Sequence, residues 1–169
     1  MTNQMLKILL FILPIFLSHV VCSQNQAGLS KQSRKNFQLM DDFEKNKTLF
    51  KHDSFDLSEI SVDGGKAIAY HSEKLKYKVF DLMLSGETEK IHYVFYADKN
   101  STLKLTKQTE YQYDKPRATD NTIKERITYY SIEKHSYKAF DAERNQIKEP
   151  DPDKKNKIDK LFEKVVNKK

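Results

Sequence analysis

Glycine is scarce in this chain. Gly28, Gly64, Gly65 and Gly86 are the whole supply in 169 residues. No two of them stand four apart around a serine, so the sharp Gly-x-Ser-x-Gly turn that exposes a hydrolase nucleophile is missing. The same scarcity removes a glycine-rich loop whose backbone amides would cradle a phosphate. Cysteine is scarcer still: the single copy, Cys22, lies near the amino terminus. From Gln24 onward the chain holds none, so its core must form without disulfides, and no thiol nucleophile is at hand. The histidines in that part, His52, His71, His92 and His135, are far apart and show no metal-ligand spacing. No metal or cofactor is implied.

What is present begins with a leader. Lys7 precedes an apolar run from Ile8 to Leu17, interrupted at Pro14, and Val21 and Ser23 are small residues placed for cleavage before Gln24. This pattern predicts a secretory signal peptide over residues 1–23, too short and wrongly flanked for a membrane span. Cys22 offers a second reading, a lipidated amino terminus. His19 and Val21 fit that signal poorly, so lipidation is the lesser alternative. No other long apolar run follows, so no transmembrane segment is expected after cleavage. An exported domain without disulfides points to a bacterial periplasm, or to secretion.

Residues 24–35 read as a flexible amino terminus and residues 36–169 as a single domain. The formal charge of the whole chain is +6. Residues 154–169 hold seven lysines against Asp159 and Glu163, which accounts for the excess left once Lys7 is removed. The basic character therefore belongs to a terminal helix and not to a nucleic-acid-binding surface, and no arginine cluster with interleaved aromatics suggests otherwise. A solvated face and tail explain those lysines better than a membrane-surface helix, which carries more exposed bulky apolar residues.

Phe37, Met40 and Phe43 predict a helix over residues 36–50, and His52 to Glu59 reads as a connector. Strands follow at Ala67–Tyr70, Leu75–Leu84, Ile91–Tyr96, Leu103–Tyr113, Ile123–Tyr129 and Tyr137–Phe140. In the second of these the apolar parity slips, which predicts a bulge near Val79–Phe80 or burial on both faces. Lys104, Thr106, Gln108, Glu110 and Gln112 read as a solvated strand face. At the carboxyl end Asp151 caps a helix with Pro152 at its first position. Its apolar stripe is Ile158, Leu161, Phe162, Val165 and Val166. The fold class is α+β: an antiparallel β-meander of about 5–6 strands, with an N-terminal and a C-terminal helix packed on one face.

Three places repeat one design. Tyr70, Tyr96 and Tyr130 each end a strand, a polar turn follows, and the next strand restarts with an apolar residue beside lysine, as in Leu75-Lys76, Leu103-Lys104 and Tyr137-Lys138. This is the mark of consecutive hairpins. The stretch "GGKAIAYHSEKLKYKVFDLMLSGETEKIHYVFY", followed by "EYQYDKP", resembles uncharacterised exported proteins of Gram-negative bacteria built from Gly-Gly, Tyr-turn-Lys-Leu and Gly-Glu-Thr units. The resemblance covers about residues 64–140. It implies a periplasmic, mostly antiparallel β fold and transfers no catalytic residue.

Two constellations remain. Tyr93, Tyr96, Tyr111, Tyr113, Tyr129 and Tyr130 crowd adjacent strands. They are either cross-strand packing or a binding surface, since tyrosine offers contact area at low entropic cost. Asp81, between Phe80 and Leu82, is a candidate buried acid that would need a partner, with Tyr77, Lys78 or Lys104 at hand. Glu87 and Glu89 read as the wet tip of a hairpin turning at Gly86. The sequence thus points to an exported, non-enzymatic cell-envelope protein binding another protein or an apolar or glycan ligand. A small inhibitor or immunity-type protein anchored by its Gly86 or Pro116 loop is the alternative, and a hydrolase a weaker one.

Overall fold

The computed structural model describes residues 28–57, 64–72, 74–113, 122–134, 136–148 and 151–168. The expected leader, Cys22, His135 and the Pro116 loop lie outside the described residues. The chain is α+β. Helix α1 (Lys31–Asn46) runs through a short 3-10 turn (Lys47–Leu49) into seven strands, and helix α2 (Pro152–Asn167) closes it. The strands are β1 (Lys51–Asp56), β2 (Gly65–His71), β3 (Tyr77–Ser85), β4 (Glu89–Asp98), β5 (Leu103–Tyr113), β6 (Thr122–Glu133) and β7 (Ser136–Phe140). They form one sheet in sequence order, every neighbour antiparallel.

The seventh strand is β1, inside the stretch that the sequence suggests is a connector. Its residues are almost all exposed, so no apolar period marks it. Backbone pairing with β2, from Lys51↔His71 to Asp56↔Lys66, makes it a strand.

Helix α1 starts earlier than its apolar spacing implies. Ser30 caps it, its Oγ accepting the Ser33 N–H at 3.0 Å. Residues 31–35, expected to be flexible, form its first turns; residues 24–27 lie outside the described residues. The start is held by polar groups that a search for apolar periodicity passes over. Asn36 is 1% exposed and donates from Nδ2 to Ser131 Oγ at 3.0 Å and to the Ile132 carbonyl at 2.9 Å. Glu133 accepts hydrogen bonds from the hydroxyls of Ser30 and Ser33.

The sequence places both helices on one face. The contacts divide them. Phe37 of α1 meets Tyr129 and Phe140 edge-on, with centroids 5.3 and 5.4 Å apart, and Phe43 meets Tyr70 at 5.1 Å. Phe162 of α2 meets Phe80 and Phe95 at 5.9 and 5.4 Å. Successive strand residues point to opposite faces, and Val79 belongs with α1 while Phe80 belongs with α2. The sheet is therefore the middle layer between two helices. This also explains the parity slip in β3. Its register to both neighbours runs unbroken through Val79–Phe80, so no bulge is there; the strand is buried on both faces. Register shifts occur instead at Tyr96/Ala97 and at Gln112/Tyr113.

Helix α2 matches its sequence pattern. Asp151 accepts the Asp153 N–H at 2.9 Å, and Ile158, Phe162 and Val165 are buried at its inner face. Burying a phenylalanine of this kind stabilises the fold by about 1.5–3 kcal/mol.

Candidate functional site

Four of the six candidate tyrosines are core and not surface. Tyr93 and Tyr130 lie in the α2-side cluster, Tyr96 and Tyr129 in the α1-side cluster. Tyr111 and Tyr113 stay half-exposed at the far end of β5. The six therefore do not form one face. Burial pushes the Tyr93 and Tyr96 phenols well above their ordinary range, helped by the charges of Glu110 and Glu44 respectively. Burial, then the Glu110 charge, pushes Tyr130 up to about 12.

Asp81 has a partner, but not one that the sequence suggests. His92 Nε2 lies 2.6 Å from Asp81 Oδ1, and both side chains are 23% exposed. The register explains the meeting. Asp81 pairs with Val94 and Met83 with His92, so acid and imidazole are diagonal neighbours on the α1 side of the sheet. Lys78 donates instead to Ser101 Oγ at 2.9 Å, and Lys104 pairs with Asp98 at 3.0 Å.

The hairpin between β3 and β4 closes as the sequence implies. The Gly86 N–H donates to the Glu89 carbonyl at 2.8 Å, and the Tyr113 N–H donates to the Thr88 carbonyl at 3.0 Å, which ties the tip to β5.

The arrangement with most chemical content is one that sequence reasoning missed. On the α2 side, β5 presents a polar row: Thr106, Gln108 and Glu110, facing Tyr130, Thr128 and Arg126 across the β6 register. The sequence marks this row as solvated, yet Thr106 is fully buried and Gln108 is 1% exposed; the row lies on the face that carries α2, whose Lys154 reaches Glu110. Thr106 Oγ1 and Gln108 Oε1 find no hydrogen-bond partner among the described residues. Gln108 Nε2 donates to Glu110, whose Oε2 accepts Arg126 Nε at 2.8 Å and whose Oε1 accepts Lys154 Nζ at 3.2 Å. Burial disfavours this carboxylate, but the hydrogen bonds from Arg126 and Lys154 outweigh it and hold the carboxyl below its usual range.

Arg126 also forms the wall between two open clefts. One, of about 330 Å³, is lined by Thr88, Glu89, Glu110, Tyr111, Gln112, Lys124 and Arg126. The other, of about 300 Å³, continues past Arg126 to Thr128, Tyr130, Ala139, Ile147, Asp151 and Lys154. Family models, curated proteins and solved structures give no match to this chain. The functional reading thus rests on side chains and their geometry. Among the described residues no three metal-ligating side chains cluster, and no helix is long and apolar enough to cross a membrane.

Nothing in the local sequence flags the Glu110 site. Its members come from β5, β6 and α2 and meet only through strand register and helix docking. The one signal available is a polar row, Thr106-x-Gln108-x-Glu110, on a strand otherwise rich in core residues.

Proposed function

We propose that the chain is an exported, non-enzymatic binding protein of the cell envelope, with its ligand site in the paired clefts around Arg126. The observation that carries the reading is that a single guanidinium, tethered by Glu110, is shared by both clefts. Glu110, Arg126 and Lys154 hold one another in place, so a ligand meets donors and acceptors that are already arranged, which lowers the entropic cost of binding.

The lining selects among the ligand classes open from the sequence. Thr88, Glu89, Gln112, Lys124 and Asp151 offer hydrogen bonds, while Tyr111 offers aromatic surface beside them. Such a mixture suits a hydroxyl-rich glycan better than an apolar ligand. Export rests on the apolar leader, and a periplasmic setting on the resemblance of residues 64–140 to exported Gram-negative proteins.

The test is calorimetric titration of soluble peptidoglycan fragments into the protein and its Arg126→Ala variant. Binding by the parent and a loss of about tenfold or more in the variant are expected. No heat with the parent, or equal affinity in both, contradicts the reading. The inhibitor or immunity-type alternative draws on one feature, the β3–β4 hairpin tip fastened to β5 through Thr88. A loop held in that way is prepared to act as an anchor.

A further inference from the structure

The meander brings three turns to one end of the sheet, the end opposite Glu110 and the Gly86 hairpin. The turn after β2 carries Lys74 and Lys76, that after β4 carries Lys99, and that after β6 carries Lys134. The chain leading into β1 adds Lys47 and Lys51 at the same end, and all six lysines are exposed. Four acids near this end are engaged within the fold, while Asp42 places its charge near Tyr77 at the start of β3. Asp98 accepts from Lys104 and from the N–H groups of Asn100 and Thr102. Glu133 accepts from Ser30, Ser33 and Lys138. Asp53 lies 3.8 Å from His71, and Glu44 accepts from Tyr96 at 3.5 Å.

Among these lysines opens a groove of about 310 Å³, lined by Leu49, Lys51, His71, Ser72, Lys74 and Leu75. Leu49 is 67% exposed, the large apolar side chain most open to solvent among the described residues. It stands at the end of the short 3-10 turn, beside Lys47 and Lys51. An exposed leucine flanked by lysines is the combination that enters a bilayer interface, the apolar group meeting acyl chains while the ammonium groups meet phosphates.

The spread of charge decides between occupants. From β1 to the β6–β7 turn is between five and six strand spacings, roughly 25 Å at about 4.8 Å each. A row of that width suits a plane of phosphates and exceeds what one small anion can engage. We infer that this end of the sheet docks on an anionic lipid surface, with Leu49 as the apolar anchor and Lys51 and Lys74 as its nearest cations. The cleft beside the Gly86 hairpin, at the other end of the strands, then faces away from the lipid. The inference is independent of what the Arg126 clefts bind.

Vesicle sedimentation tests it, using the chain from Gln24 onward, whose described core begins at Leu29. Binding is expected to vesicles containing phosphatidylglycerol, to weaken with salt, and to be slight with pure phosphatidylcholine. The pair Leu49→Asp with Lys74→Glu, both at exposed positions, should lower vesicle affinity by about tenfold or more without changing the circular dichroism spectrum. Reversing Lys160 and Lys164 on α2 should leave affinity unchanged. Equal binding to both vesicle types, loss only with the α2 reversals, displacement by inorganic phosphate at matched ionic strength, or binding to polyglutamate with none to vesicles would each overturn the inference.

Discussion

Glu110 and Arg126, register partners on β5 and β6, are joined by a hydrogen bond of 2.8 Å from Nε, and Lys154 of α2 reaches the other carboxylate oxygen at 3.2 Å. Because the folded-state pKa of Glu110 is depressed, the cluster contributes stability above the unfolded pKa. That contribution is lost as pH falls through the folded value. Replacing Glu110 by Gln should therefore cost about 1 kcal/mol at neutral pH and almost nothing in strong acid. Urea unfolding across an acid series checks this. Arg126 is 63% exposed, so high salt should shrink the difference.

At the alkaline end the sign reverses. Tyr130 is held protonated by burial up to about 12, above the ordinary phenol value of 10.0. Its contribution is fully present below the unfolded pKa and fades as pH rises through the folded one. A near-ultraviolet titration should show the Tyr130 and Tyr93 phenolates forming late, close to base unfolding. Tyr130→Phe should remove one late-titrating group.

The Asp81–His92 contact is a hydrogen bond on a half-covered sheet face. A double-mutant cycle with Asp81→Asn and His92→Gln should give a coupling of about 1 kcal/mol. A coupling near zero would mean that the pair is fully solvated in solution.

Because the helices lie on opposite faces, Phe37→Ala and Phe162→Ala strike separate clusters. Each should cost about 3–5 kcal/mol, and the two costs should add within roughly 0.5 kcal/mol, as expected for sites without shared partners. Strong non-additivity in denaturant unfolding would instead place both rings in one core.

What the sequence shows of each element follows from what that element rests on. Helix α2 has an apolar stripe, a cap and a proline in their expected places, and it was readable outright. The hairpins were readable from tyrosine, turn and lysine units. Strand β1 is not, because it is exposed on nearly every residue and only Phe55 packs on the core, too little to mark an apolar period. The two-sided core was hidden in β3, where Val79 and Phe80 bury opposite faces; from sequence, a strand covered twice and a bulged strand show the same slip in parity. The tyrosines look like one face in the sequence for a related reason. Tyr93 and Tyr96 differ in parity, so alternation sends them to different helices, and composition alone cannot separate the faces. The Glu110 cluster was the least legible, since Lys154 comes from a helix 44 residues away in the chain.

The central claim is that the clefts on either side of Arg126 bind an envelope glycan. Its most direct test is a two-dimensional amide NMR titration of the folded protein with soluble peptidoglycan fragments. The account predicts saturable shifts confined to residues 88–89, 110–112, 124–130 and 151–154. Unchanged spectra, or shifts gathered at the Leu49 end of the sheet instead, would contradict it.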